Sequence, residues 1–383
     1  MYWKALDKVD TSIYKGLAIL MIATHNFMHL FPLPKENEFE FNPDRFFNLL
    51  TLVINEPENI LRALLSFFGH FGVQIFIFLS AYGLTKKYFH CKVNYWPFIF
   101  GRILKIYPAF ILAILAWAII ISGTDYGLLG PLKMLYWNIK SLALKLTLLS
   151  NFIPSESLWP VGPWWFISFI FQFYIVFPYL LFLHSRWGNG ILLLVSILSI
   201  LLSALVQGYI AGINVYFTIL GHLPEFCLGI YLAKRDSNIF RVPVFIVYTA
   251  FVIYILGNIY ELFWYVNHIS FLILLLALYS CLTGKIKNNV ISRKFFLFFG
   301  AISMHLFLVN GFLREPFILW AKDHDHWLLT IVLCLLSLLV SVMVAWVLSK
   351  IEKHMMLKAN VNNIIMLAGK VRYVLSGVFT RMK

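Results

Sequence analysis

Histidines lie inside segments that are otherwise apolar, and they are the side chains best suited to proton transfer in this chain. His25 and His29 lie one helical turn apart in the first apolar segment, and Lys15 precedes them. A neutral imidazole can take the proton of a hydroxyl that attacks a carbonyl. Ammonium and guanidinium groups hold phosphates. These residue types therefore suit group transfer from an anionic donor, but they suit a transporter equally well.

The expected depth of each residue separates the candidates into two sets. At 1.5 Å per residue, His25 lies roughly 20 Å along a helix that enters near Thr11, in its outer half. Basic residues at the inner end form the first set: Lys15, Arg102 and Lys105. The second set lies near the middle of the membrane or in its outer half: His25, Asn26, His29, Trp165, His222, Glu225, His305 and Asn310. Ionisable residues at such depths usually face a bundle interior or a wet cavity.

The composition is that of a membrane protein. The chain has 383 residues, of which 61% are hydrophobic and 13% charged, whereas soluble domains carry about a quarter charged residues. A soluble globular domain, a disordered chain, a fibrous repeat and a nucleic-acid reader are therefore excluded. The net charge of +14 reflects the excess of Lys and Arg on the cytoplasmic side of membrane proteins, and a basic inner face also suits an anionic substrate.

Ten segments are long and apolar enough to cross a membrane, since a span needs about 20 such residues. Basic connections alternate with less basic ones along the chain, so they all fall on the same side as the N-terminus. We therefore expect one all-α bundle with both termini in the cytoplasm. Residues 133–150 carry three lysines in apolar surroundings and predict an interfacial amphipathic helix. The ten segments are 12–31, 62–84, 103–122, 163–183, 191–208, 213–233, 242–260, 264–283, 295–314 and 327–349.

We expect a transmembrane domain over residues 1–350, followed by a basic, amphipathic cytoplasmic tail over 351–383 on the inner leaflet. The four cysteines are far apart and have no CxxC spacing. They predict neither a disulfide framework nor a zinc site, and we expect no metal.

Five sequence blocks, in order, resemble the acyltransferase-3 family of integral membrane acyltransferases, which acylate carbohydrates and similar acceptors. The resemblance covers about residues 7–350. The first block runs from Lys15 through Gly-Leu-Ala-Ile-Leu-Met-Ile-Ala-Thr to His25, and the third is Arg102-Ile-Leu-Lys105-Ile-Tyr107-Pro108. The other three blocks are FGVQIFIFLSAYGLT at 71–85, WFISFIFQFYIVFP at 165–178 and LPEFCLGIYLA at 223–233.

The resemblance implies a ten-helix bundle in a bacterial inner membrane. Acetyl-CoA, or another acyl-CoA, would donate from the cytoplasm to a hydroxyl of a glycan or lipid-linked sugar outside. His25 would be the base, with Asn26, Asn310 or His305 steadying the oxyanion. The donor would bind at Lys15, Arg102, Lys105 and Tyr107, and the acceptor at His29, Trp165, His222 and Glu225.

Two alternatives remain open at this point. A transporter or exporter of a polar substrate has the same residue types, although no inverted repeat is evident. A catalytically degenerate relative that binds a glycan is the other, because Asn26 and Asn310 stand where the family often has histidine. Nothing resembles a GxSxG nucleophile elbow, which favours direct transfer over an acyl-serine intermediate.

Overall fold

The computed structural model describes residues 2–91, 93–122, 127–209, 212–233, 239–241, 243–324 and 326–358. Helices dominate this part of the chain, and a ribbon of two short antiparallel strands, β1 (Tyr2–Lys4) and β2 (Ile239–Arg241), joins two of its distant segments. The helices of the first half are α1 (Lys8–Met28), α2 (Pro43–Asn55), α3 (Ile60–Phe68), α4 (Gly72–Tyr88), α5 (Tyr95–Ser122), α6 (Gly130–Trp137), α7 (Ile139–Leu146), α8 (Pro154–Ser157) and α9 (Trp165–Trp187). Those of the second half are α10 (Asn189–Tyr209), α11 (Leu223–Ala233), α12 (Val244–Ile259), α13 (Glu261–Trp264), α14 (Asn267–Asn288), α15 (Val290–Leu313), α16 (Glu315–His324) and α17 (Trp327–Lys358).

The predicted all-α membrane bundle is confirmed. Within the described residues, seven helical segments are long and apolar enough to cross a membrane, and two shorter apolar helices accompany them. Residues 12–28 of the predicted segment 12–31 lie in α1, which is not among the seven. The seven are Pro57–Tyr88, Tyr95–Ser122, Gly162–Trp187, Asn189–Gln207, Asn267–Asn288, Val290–Leu313 and Trp327–Met356, and the shorter two are Ile219–Ala233 and Val244–Ile259.

The sixth predicted segment, 213–233, is not one continuous helix. Two 3-10 turns, Val215–Phe217 and Ile219–His222, precede the eleven residues of α11. The side chains of Asn214 and Thr218 accept hydrogen bonds from the backbone N–H groups two residues on. Such local bonds compete with regular helix and explain why the apolar run breaks here.

The interfacial helix predicted over 133–150 is two short helices, α6 and α7, which meet at Asn138. Lys133 and Lys140 are exposed, but Lys145 is fully buried and its ammonium donates a hydrogen bond to the Ser157 carbonyl over 2.6 Å. Burial lowers the pKa of Lys145 to about 7.

Helix α1 packs against α15 and against the turn before α4. Glycines at these contacts allow the backbones to approach closely. A Cβ atom at Gly16 would collide with the carbonyl oxygen of Phe296, and one at Gly300 with that of Ser12. A Cβ at Gly69 would collide with the Cβ of His25. Small residues of this kind let membrane helices approach at backbone distance. The backbone around His25 is therefore held tightly against the 3-10 turn Gly69–Phe71.

The terminal helix α17 continues past residue 350 to Lys358. The predicted tail over 351–383 thus begins as a continuation of this helix. Its remainder, residues 359–383, lies outside the described residues.

Candidate functional site

A cavity of about 280 Å³ lies at the end of α1, and we name it the histidine cavity. Its polar lining comes from α1, from the segment that follows α1, from the 3-10 turn Gly69–Phe71 and from the end of α15. The chain leaves α1 at Met28 and turns back, so that Glu36 lies over the histidines. The polar side chains in the lining are His25, Asn26, His29, Glu36, Glu38, His70 and Arg314, with Trp165 among the aromatic ones.

The geometry of His25 fixes its tautomer. Its Nδ1 lies 2.7 Å from the carbonyl oxygen of Ser66, so Nδ1 carries the proton and donates it to that oxygen. The unprotonated Nε2 lies 3.7 Å from Oε1 of Glu36, too far for a hydrogen bond. His25 therefore has a free lone pair on the side of the histidine cavity, as a general base requires.

Glu36 is shared by two histidines. Its Oε1 also lies 3.9 Å from Nδ1 of His29, and the rings of His25 and His29 are 5.1 Å apart. Burial raises the pKa of the Glu36 carboxyl, against the opposing influence of His29. Burial and the charge of Glu36 together raise the pKa of Glu38 well above its usual value.

Asn26 and Asn310, which lie on α1 and α15, form a direct contact. The Asn26 amide donates a hydrogen bond to Oδ1 of Asn310 over 3.1 Å. The guanidinium of Arg314 donates to the Asn26 carbonyl at the end of α1. These bonds tie the two helix ends together beside His25. Asn26 and Arg314 line the histidine cavity, and Asn310 supports Asn26 from behind.

A second cavity, of about 160 Å³, contains two of the predicted basic residues, and we name it the lysine cavity. Lys15 and Lys105 line it together with Ser80 and Tyr174. Arg102 does not line it, but its guanidinium lies 5.8 Å from the ring of Tyr174.

The two cavities are neighbours. Ile22, Val73 and Phe307 line both of them and form an apolar wall between them. Lys15 and His25 lie on the same helix on either side of this wall, ten residues and therefore about 15 Å apart. A basic compartment and an imidazole compartment thus adjoin within one bundle.

Other predicted site residues line neither of these two cavities. The hydroxyl of Tyr107 donates to the Leu146 carbonyl. Nε2 of His305 lies 2.9 Å from a carboxylate oxygen of Glu352 on α17. His222 and Glu225 are buried together with His268 on α14.

Four residues near these sites have no role in the interpretation of the sequence. His70 lies with its ring 5.6 Å from that of His25, and Glu36, Arg314 and His268 complete the set. Glu36 has a weak signal in the sequence, since it follows the histidine segment in an acidic loop, and His70 and Arg314 are ionisable residues in predicted membrane segments. In the part of the chain that the structure describes, two groups have ligand atoms close enough to hold a metal ion: His25, His29 and Glu36 form one, and His222, Glu225 and His268 the other.

A comparison with protein-family models finds a match to an acyltransferase domain (Acyl_transf_3) over residues 12–350. The search of curated proteins finds no match, and neither does the search of solved structures. The matched range includes both cavities and every predicted site residue. The chain therefore belongs to the acyltransferase-3 family and is a multi-pass membrane acyltransferase.

Proposed function

We propose that the protein is an O-acyltransferase. It moves an acetyl or other short acyl group from cytoplasmic acyl-CoA to a hydroxyl of a carbohydrate or lipid-linked glycan on the outer side of a bacterial inner membrane. The observation that carries this proposal is the pair of adjoining cavities, one basic and one containing His25. The orientation follows from the basic connections of the sequence.

The donor is held at the lysine cavity. The ammonium groups of Lys15 and Lys105 offer up to six N–H donors to the phosphates of the coenzyme. The lysine cavity is too small for a whole nucleotide. The nucleotide part of the acyl-CoA therefore stays at the entrance of this cavity, and the narrow arm that carries the thioester enters it. The arm crosses the wall of Ile22, Val73 and Phe307 to reach the histidine cavity.

The acceptor hydroxyl enters the histidine cavity, where Trp165 offers a ring face for a sugar. Nε2 of His25 takes the hydroxyl proton while the oxygen attacks the thioester carbonyl. The new C–O bond forms, the C–S bond breaks, and the coenzyme thiolate leaves and takes up that proton. Asn26 uses one amide N–H on Asn310 and keeps the other for the oxyanion.

The test measures release of free coenzyme thiol and labelled acetyl transfer by the purified, reconstituted protein. We expect His25→Ala to lower kcat by about 10²–10⁴-fold, the usual share of a general base. The matched control is His90→Ala, since His90 is exposed and lines neither cavity. Binding of acetyl-CoA is measured in parallel.

Three outcomes contradict the proposal. Equal turnover in His25→Ala and in the parent would exclude His25 as the general base. Substrate flux without acyl turnover indicates the transporter. Binding of acetyl-CoA or glycan without turnover in either protein indicates the degenerate relative.

A further inference from the structure

Three buried side chains form a second cluster behind the histidine cavity, and we name it the sealed cluster: His222, Glu225 and His268. His222 ends a 3-10 turn, Glu225 lies in the first turn of α11, and His268 is the second residue of α14. Their exposed fractions are 2%, 1% and 3%. One ligand atom from each lies within 4.8 Å of the other two. The cluster joins an irregular stretch of chain to two helix ends.

The orientation of His222 leaves an electron pair facing a carboxylate. Its Nε2 lies 3.1 Å from the Tyr216 carbonyl oxygen, so the proton is on Nε2. Nδ1 is then unprotonated and lies 3.9 Å from Oε1 of Glu225. This distance is too long for a hydrogen bond, so the two atoms do not satisfy each other.

Several polar atoms of the sealed cluster and of Tyr216, whose ring lies beside both histidines, have no hydrogen-bond partner in the described part of the chain. Among the described residues, Nδ1 of His222, Oε2 of Glu225 and Nε2 of His268 make no hydrogen bond, and neither does the hydroxyl of Tyr216. Also among these residues, no lysine or arginine lies within ion-pair distance of Glu225. Buried polar groups are nearly always satisfied, so this number of orphans in one place points to a missing partner.

A divalent metal ion satisfies all of these groups together. Two neutral imidazoles and one carboxylate are a common ligand set for Zn²⁺. The N–H of His222 that donates to a backbone carbonyl is the support that metal-bound histidines usually have. Zn²⁺ takes four ligands, which leaves one position for water or for the hydroxyl of Tyr216.

We propose that His222, Glu225 and His268 bind one Zn²⁺ ion, which fixes the wall of the histidine cavity. The ring of Trp165 stacks on that of His222 at 6.5 Å, and Trp165 lines the cavity. On the other side, the His268 ring lies 6.3 Å from that of His70, which also lines it. The ion would thus restrict the positions of Trp165 and His70, which line the histidine cavity. The expectation of no metal rests on cysteine spacing, which does not detect a site of histidine and glutamate ligands in which His268 is 43 residues from Glu225.

The experiment is metal analysis of the purified chain after incubation with ZnCl₂ and gel filtration. We expect about one zinc per chain, and loss of it in His222→Ala and in His268→Ala. Replacement by Co²⁺ should give the absorption bands of a tetrahedral site, and these should vanish in the same variants. His90→Ala is the control for handling, because its side chain is exposed.

His29→Ala separates the sealed cluster from the other group that could hold a metal. It must keep its zinc under the proposal. Zinc lost from His29→Ala and kept in His268→Ala would assign the ion to the histidine cavity and overturn the proposal.

A melting measurement covers the case in which a ligand variant does not fold. A chelator should lower the Tm of the parent, and restored ZnCl₂ should raise it again. The isosteric Glu225→Gln should lose most of this response. No bound zinc in the parent and a Tm indifferent to chelator and to ZnCl₂ would also overturn the proposal. None of these readouts depends on acyl transfer.

Discussion

The histidine cavity and the sealed cluster use the same side chains in different surroundings. Each contains two histidines and one glutamate with ligand atoms within 4.8 Å of one another. In the first, the side chain of His29 is 32% exposed and all three line a cavity. In the second, all three are at most 3% exposed and line neither described cavity. The two clusters therefore differ in access rather than in residue type, and this difference is why we propose chemistry at the first and a bound cation at the second.

The first test of this comparison is the matched pair Glu225→Gln and Glu36→Gln. We expect Glu225→Gln to lower the Tm by roughly 5–10 °C, because a buried cation loses its counter-charge. Glu36→Gln should not lower the Tm at neutral pH, because burial penalises the charged carboxylate of Glu36 more than a neutral amide. Thermal melts of both variants in detergent give the measurement. An equal decrease in Tm for the two variants would show that the two clusters contribute equally to stability, which contradicts the comparison.

The second test concerns the lysine cavity, where we propose that the acyl-CoA binds. The double variant Lys15→Gln/Lys105→Gln should raise the KM for acetyl-CoA by about 10–100-fold, because each charged hydrogen bond to phosphate is worth about 1.5 kcal/mol or more. Its kcat should change little, since both lysines lie beyond the apolar wall from His25. Steady-state kinetics check this. Zinc content should be unaffected, whereas loss of zinc would couple the two regions.

The third and smallest effect is the pH dependence of Glu36. Its folded-state pKa is raised above the ordinary 4.5 by burial. Its contribution to stability is therefore present below pH 4.5 and lost as the pH rises through the folded pKa. Glu36→Gln should melt about 1–3 °C above the parent at pH 7.5 and at the same temperature below pH 4.5. A parallel pH profile for both proteins would show that Glu36 is not desolvated.

The sequence alone predicts the bundle and the relation between Lys15 and His25, because both are questions of periodicity along one helix. Glu36 could not be assigned, since nothing local indicates which acidic residue of the 32–61 loop folds back over the histidines. His268 could not be assigned either, because His222 and Glu225 are more than 40 residues away in the sequence. The 3-10 turns before α11 result from Asn214 and Thr218, whose side chains outweigh the apolar pattern around them.

The wall of Ile22, Val73 and Phe307 has an electrical consequence. A hydrated ion that moves from the lysine cavity to the histidine cavity would have to shed its water among three apolar side chains, which is costly. The flexible and largely neutral arm of the proposed acyl-CoA donor would lose much less hydration free energy at the same place. We therefore expect the reconstituted protein to conduct no ions, although two cavities adjoin inside the bundle.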